Sequence, residues 1–192
     1  MNLSDEELMA RYVDGENSAL RVLFDRYASV ITRIMARGMA TQADTGDLVQ
    51  KTFLQLHRAR YDFRAGAKLR PWLMTIAMNV KRQHLRSLSR RREDVHELDD
   101  QTTPTSAPYD PELKEKRQQV RMALATLSDS MREVIELHWF EDLSFPEVAQ
   151  ITGASLSAVK VRAHRAYAKM RTQLEEIECN HSNNSGIQER ER

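Results

Sequence analysis

The sequence predicts an all-α protein: two small helical domains joined by a flexible linker, the second containing a helix-turn-helix. Three observations carry that reading. Apolar residues recur at steps of three and four along most of the chain, with no alternating strand pattern anywhere. Residues 89–111 lose that period, and the run DDQTTPTSAP followed by Tyr-Asp-Pro has the composition of a linker. Residues 144–171, SFPEVAQITGASLSAVKVRAHRAYAKMR, read as a short helix, a glycine turn and a longer helix. The predicted division is 1–88 for the first domain, 89–111 for the acidic linker, 112–178 for the second domain and 179–192 for a polar, disordered tail.

Each element has its local signals. Ser4 and Glu7 have capping-box spacing ahead of an apolar stripe of Leu8, Met9 and Tyr12. After the turn at 14–17, a second helix from Ala19 places Leu20, Leu23, Phe24, Tyr27, Ile31, Ile34 and Met35 on one side. A third, over 44–59, points Leu48, Val49, Phe53 and Leu56 inward. Residues 61–71, YDFRAGAKLRP, are non-helical, and a fourth helix over 72–87 turns Trp72, Leu73, Ile76, Ala77 and Val80 to a core and Lys81, Arg82, His84 and Arg86 away from it. Beyond the linker, Val120, Ala123, Leu124 and Leu127 are in phase, and a further helix over 128–140 bears Met131, Val134, Ile135 and Leu137.

In the helix-turn-helix, Ser144 and Glu147 form a second capping box, Pro146 sits in the first turn, Gly153 supplies the bend and Ser155 caps the long helix. There Leu156, Val159, Ala163, Ala166, Met170 and Leu174 share one face, and Lys160, Arg162, His164, Arg165, Lys169 and Arg171 lie off it. The second helix of such a motif enters the major groove of DNA, although the same shape also serves proteins that never touch DNA.

Composition excludes several classes. Apolar residues make up 41% of the chain, enough to build cores. The net charge is only +1 because charge is segregated, strongly basic over 81–92 and strongly acidic over 93–112, which suits a nucleic-acid contact beside a solvated linker. The lone Cys179 excludes an intrachain disulfide and a cysteine zinc site. No signal-peptide core or membrane-length apolar run is present, so a soluble cytoplasmic protein without membrane insertion is expected. No phosphate-binding glycine loop, metal-ligand spacing or nucleophile elbow appears, and the six histidines are scattered. The expectation is a non-enzyme with no cofactor and no metal.

With both domains placed, the chain resembles bacterial RNA polymerase sigma factors of the extracytoplasmic-function (ECF) group. Three segments carry the likeness, in family order: DLVQKTFLQLHR at 47–58, FRAGAKLRPWLMTIAMNVKRQHLR at 63–86, and LSDSMREVIELHWFEDLSFPEVAQITGASLSAVKVRAHRAYAKMR at 127–171. The resemblance implies a protein that directs core polymerase to promoters and helps open the −10 region. It assigns core polymerase binding, at the clamp helices, to Asp44, Asp47, Leu48, Gln50, Lys51 and Phe53. It assigns −10 contacts to Arg64, Lys68, Arg70, Trp72, Asn79, Lys81 and Arg82, a set that mixes the basic and stacking groups single strands require. Trp72 fits a core position as well as direct stacking. The −35 duplex falls to Ser155, Ser157, Lys160, Arg162, His164 and Arg165, where Arg or Lys addresses guanine edges and other bases hold phosphates. Val161 stands where the family often has a small polar residue.

One departure suggests control. The family's polymerase-binding helix usually carries a dense acidic run, but here Thr45 and Gly46 stand in for acid and Lys51 reverses it. Phosphorylation of Thr45, or of Thr52, by a Ser/Thr kinase would restore negative charge against a basic clamp. An anti-sigma factor is the other expected regulator. The rival readings are a stand-alone helix-turn-helix regulator independent of core polymerase, and a helical adaptor that binds only protein.

Overall fold

The computed structural model describes residues 3–37, 42–93 and 111–188, and among these every regular element is helical. The chain forms two compact units whose main boundary falls between Thr105 and Ser106.

The first unit holds four helices: α1 (Asp5–Val13), α2 (Asn17–Ala36), α3 (Gln42–Arg58) and α4 (Leu69–Glu93). The predicted capping box starts α1: Ser4 Oγ accepts the Glu7 amide at 3.2 Å, and Glu7 Oε2 accepts the Ser4 amide at 2.7 Å. The bond from the Ser4 amide foremost, then one from the Ser4 hydroxyl to the same Oε2 at 2.8 Å, hold the Glu7 carboxyl below the usual carboxylate range. Asp5 ties this turn to α2, accepting from Arg26 Nη1 at 2.6 Å and from the Tyr27 hydroxyl. The core is lined by Met9, Leu23, Ile31, Ile34, Leu48, Leu56, Leu69, Leu73 and Met74, all fully buried. Phe24, predicted inside, is part exposed and packs its ring on Phe53 at 4.7 Å between centroids. A 3-10 turn (Arg60–Asp62) and a loop bent at Gly66, with φ +80°, lead to α4. Glu6 Oε1 from α1 accepts the Leu69 amide at 3.1 Å, satisfying a donor at the α4 start.

The second unit holds α5 (Pro111–Ala125), α6 (Asp129–Ile135), the greater part of α7 (Phe145–Thr152) and α8 (Leu156–Gln188). Leu127, Ile135 and Ala166 form a buried cluster covered by Leu124, Met131, Tyr167 and Met170. Arg132 closes the end of α5, its guanidinium donating to the carbonyls of Leu124 (3.0 Å), Ala125 (3.2 Å) and Leu127 (3.0 Å). Lys169 Nζ donates to the Thr126 carbonyl, so this base of α8 serves the fold. After α6 the chain widens into a π-helical turn (Glu136–Phe140), where the sequence predicted one continuous helix. His138 then donates from Nδ1 to the Leu143 carbonyl at 2.6 Å and stacks on Phe145 at 4.3 Å, fixing the approach to α7.

Two helix ends lie beyond their predicted positions. Residues 89–93 of the predicted linker continue α4, and 94–110 lie outside the described residues. The helix therefore runs past 88, because Arg90, Arg91, Arg92 and Glu93 extend an already nucleated helix at little cost. The predicted disordered tail is helical backbone from 179 to Gln188, although its asparagines, serines and Gly186 are weak helix formers, while 189–192 lie outside the description. On α8, Val159, Ala163 and Ala166 are buried as predicted, but Leu156 is exposed at the helix start, before any neighbour covers it.

Candidate nucleic-acid interface

The helix-turn-helix is built by backbone chemistry. Ser144 donates its amide and its hydroxyl to Glu147 Oε2, at 2.8 and 2.6 Å, at the start of α7. At the other end Gly153 takes φ +67°, and the Ala154 amide reaches back to the Ala149 carbonyl at 3.2 Å. That bond, running from two residues past the cap to three before it, is a Schellman closure. Ser155 restarts the chain as the cap of α8, its Oγ accepting the Ala158 amide at 3.2 Å and lying 3.0 Å from Ser157 Oγ.

Successive residues on α8 turn by roughly 100°. Val159, Ala163 and Ala166 define the buried side, so the opposite strip is Ser157, Val161, His164, Arg165 and Ala168, edged by Lys160. All of these are exposed. Arg162, predicted with them, lies on the flank and is half-buried. The strip thus pairs two full positive charges, Lys160 and Arg165, with an imidazole, a hydroxyl and an exposed valine methyl face. Those groups suit phosphates, base edges and a thymine methyl.

In the first unit, loop residues Arg64 and Lys68 are exposed and Arg70 is half-buried. Trp72 is half-buried against Phe63, with ring centroids 5.2 Å apart, so it combines the two roles the sequence left open. Asn79 lies one helical strip along from Trp72, and its Oδ1 accepts from Arg82 Nη1 at 2.7 Å. The same strip continues to Gln83 and Arg86, both exposed; the sequence turned Arg86 away from the core but assigned neither to the −10 contacts, although the spacing 72, 76, 79, 83, 86 carries both. Lys81 is corrected: only 5% exposed, it sits on the far side of α4, half a turn from Trp72, and cannot meet DNA on the Trp72 strip.

On α3 the predicted polymerase-binding set divides. Asp47, Gln50 and Lys51 are exposed and Asp44 is half-buried. Leu48 and Phe53 are buried, so they shape the helix from beneath and do not present a contact surface. The exposed stripe instead includes Leu54 and Arg58. Gly46 is exposed, with open space where a Cβ would stand. The phosphorylation reading loses its footing here. Thr45 is 5% exposed and Thr52 fully buried, with Thr52 Oγ1 donating to the Leu48 carbonyl at 2.8 Å. Residues 45, 49, 52 and 56 follow steps of four, three and four, so both hydroxyls lie on the inward stripe.

Among the described residues, no cluster of three or more His, Cys, Asp or Glu is placed to hold a metal ion, and no helix is long and apolar enough to cross a membrane.

A helix-turn-helix that follows, along the chain, a four-helix unit with an exposed basic loop has the features of a nucleic-acid-binding protein, and comparison with known proteins gives the family. Residues 23–91 match the family described as Sigma-70 region 2, and residues 117–170 match Sigma-70, region 4. RNA polymerase sigma factor CarQ of Myxococcus xanthus is 37% identical over 171 residues, covering 88% of this chain and 97% of that protein. The ECF RNA polymerase sigma-E factor of Escherichia coli is 28% identical over 174 residues, covering 85% of this chain and 91% of its own. Among solved structures, CnrH in complex with the cytosolic domain of CnrY is similar with a TM-score of 0.69 and 26% identity, over 90% of this chain and 97% of that one. The chain belongs to the sigma-70 family of RNA polymerase sigma factors, in its ECF group. It directs core polymerase to promoters in transcription initiation. Sigma factors are initiation factors and not catalysts in themselves. A stand-alone regulator is disfavoured, since it leaves the match over residues 23–91 without a use.

Proposed function

We propose that three surfaces divide the work of initiation. The exposed strip of α8, with Ser157, Lys160, Val161, His164 and Arg165, reads −35 duplex, and Arg162 steadies a neighbouring phosphate from the flank. The loop with Arg64 and Lys68, together with the strip from Trp72 through Asn79, holds the opened −10 strand. Asp47, Gln50, Lys51 and Leu54 on α3 dock on the polymerase clamp, through a surface with less acid than its relatives' pattern implies.

The observation that carries this reading is the α8 strip. A capped, Schellman-closed helix-turn-helix leaves one contiguous set of side chains open to solvent, and that set has the chemistry of a groove reader. Ser155 contributes as the cap that starts the helix and not as a base reader. Work alongside core polymerase puts the protein in the bacterial cytoplasm. Because the similar structure of CnrH holds the cytosolic domain of CnrY, a protein that binds this chain directly, the expected anti-sigma factor, is the regulator to look for, in place of a kinase at Thr45 or Thr52.

The test is run-off transcription with purified core polymerase on promoters selected from genomic fragments, comparing wild type, Lys160→Ala and Lys51→Glu. Transcription should depend on this chain, fall with Lys160→Ala at the −35 step, and rise with Lys51→Glu if charge limits docking. Specific DNA shifted by the chain alone, with no transcription by any variant, would overturn the reading.

A further inference from the structure

The 3-10 turn between α3 and the −10 loop carries an aromatic group that neither core nor loop accounts for. Tyr61 is 68% exposed, the highest value among the large apolar and aromatic side chains. Burial therefore does not explain it. It is nevertheless not left loose. The Arg60 guanidinium lies over its ring, 4.3 Å from the centroid, and Arg60 Nη2 donates to Tyr61 Oη at 3.0 Å. Arg60 is itself anchored, Nη1 donating to the His57 carbonyl at 2.6 Å. His57 is in turn held through Nδ1 by the hydroxyl of Tyr12, a core residue of α1. A chain of contacts thus runs from the core through His57 and Arg60 to one face of Tyr61. With that face covered by the guanidinium, the exposure of the ring belongs to its opposite face and edge.

We infer that Tyr61, backed by Arg60, is a stacking platform for an unpaired base of the promoter strand, just ahead of the loop at 63–68. Two physical points select that occupant. An aromatic face already fixed in place loses little freedom when a base stacks on it, and base stacking is the sequence-tolerant way proteins hold single strands. The surroundings are also strongly basic: residues 57–70 contain Arg58, Arg60, Arg64, Lys68 and Arg70 against the single acid Asp62. Arg58, Arg64 and Lys68 are exposed, a charge balance that complements a phosphate backbone. A stacked duplex offers no free base face, so the platform acts only after the strands separate.

The inference rests on the proposed function of the first unit, and its test separates the two. Holoenzyme assembled from this chain and core polymerase is titrated with two fluorescent probes: a fork whose promoter-strand −10 segment is single-stranded, and a closed duplex carrying only the −35 element. Assembly with core is titrated separately. Tyr61→Ala should weaken fork binding about 5- to 150-fold, the range for loss of one stacked base, with duplex binding and core assembly unchanged. Tyr61→Phe and Tyr61→Trp should bind the fork as wild type does, because the ring and not the hydroxyl makes the contact. Fork binding by Tyr61→Ala equal to wild type overturns the platform. So does an equal loss in Tyr61→Phe, which would assign the effect to positioning of Arg60. A loss confined to core assembly also overturns it, making Tyr61 a protein contact. If wild-type holoenzyme binds the fork no better than core polymerase alone, the reading of the whole first unit falls, and the platform with it.

Discussion

Thr45 and Thr52 illustrate how helical register governs what a side chain can do. Both are chemically able to carry a phosphate, yet both lie on the inward stripe of α3. Thr52 has its hydroxyl on the Leu48 carbonyl of its own helix. Thr52→Val should therefore change stability by less than about 1 kcal/mol, since one modest intrahelical bond is exchanged for apolar packing. Thr52→Glu, which mimics a phosphate, should cost at least about 3 kcal/mol by placing an uncompensated charge in the core. Urea unfolding of the two variants separates them; a Thr52→Glu protein as stable as wild type would show that the position opens freely. Tyr27 makes a second residue-scale case. Burial foremost, then its hydrogen bond to Asp5, pushes its phenol pKa well above the ordinary value of 10.0. The neutral phenol is thus favoured in the folded state, so its contribution is fully present below about pH 10 and is lost as pH rises beyond that. The expected slope is up to about 1.4 kcal/mol per pH unit. Stability measured between pH 9 and 11 should show this fall, and Tyr27→Phe should flatten it.

Elements are defined by their ends as much as by their faces. From the start of α7 to the start of α8 the chain sets a capping box, a Schellman closure and a serine cap within a dozen residues. Only Gly153 needs a conformation that L side chains avoid, at φ +67°, and a Cβ there would meet no neighbour. Gly153→Ala should therefore destabilise by about 1–2 kcal/mol through backbone strain without a steric clash. Thermal unfolding checks the cost. If the alanine variant is as stable as wild type, the positive φ does not persist in solution. Elements were also the scale at which the sequence read best. The capping boxes, the glycine turn and the three-and-four periods all act within one or two turns of helix, so they are visible in a linear string. Helix ends were less legible: α4 and α8 run on beyond their last apolar stripes because propagation needs no strong signal.

At the scale of the whole molecule, a net charge of +1 hides two basic surfaces, and affinity for DNA should follow those surfaces and not the total. Each phosphate contact should lower holoenzyme–promoter affinity about 3.5-fold between 50 and 200 mM salt. Lys160→Ala and Arg165→Ala should each reduce the log–log salt slope by about 1 where the side chain meets a phosphate. A side chain that reads a base edge should instead lose affinity at one base pair with little change in slope. Fluorescence titration of holoenzyme across that salt range makes the distinction; a slope unmoved in both variants, with no change in sequence preference, would remove α8 from the interface.

Local chemistry was enough to settle the helical class, the two-unit division, the helix-turn-helix and the sigma-factor resemblance, because periodicity, caps and ordered motifs are properties of neighbouring residues. Which charged and polar side chains remain available was decided only in three dimensions. Lys81 and Arg82 are adjacent in sequence, but packing buries the first and leaves the second half-open. Leu48 and Phe53 sit in the motif that resembles a docking helix, yet the core of the first unit takes them. Arg60 and Tyr61 look unremarkable in a string of bases until Tyr12, nearly fifty residues earlier, is brought under His57 to support them. Exposure is set by what the rest of the chain covers, and that information is shared among distant residues, so no local pattern can hold it.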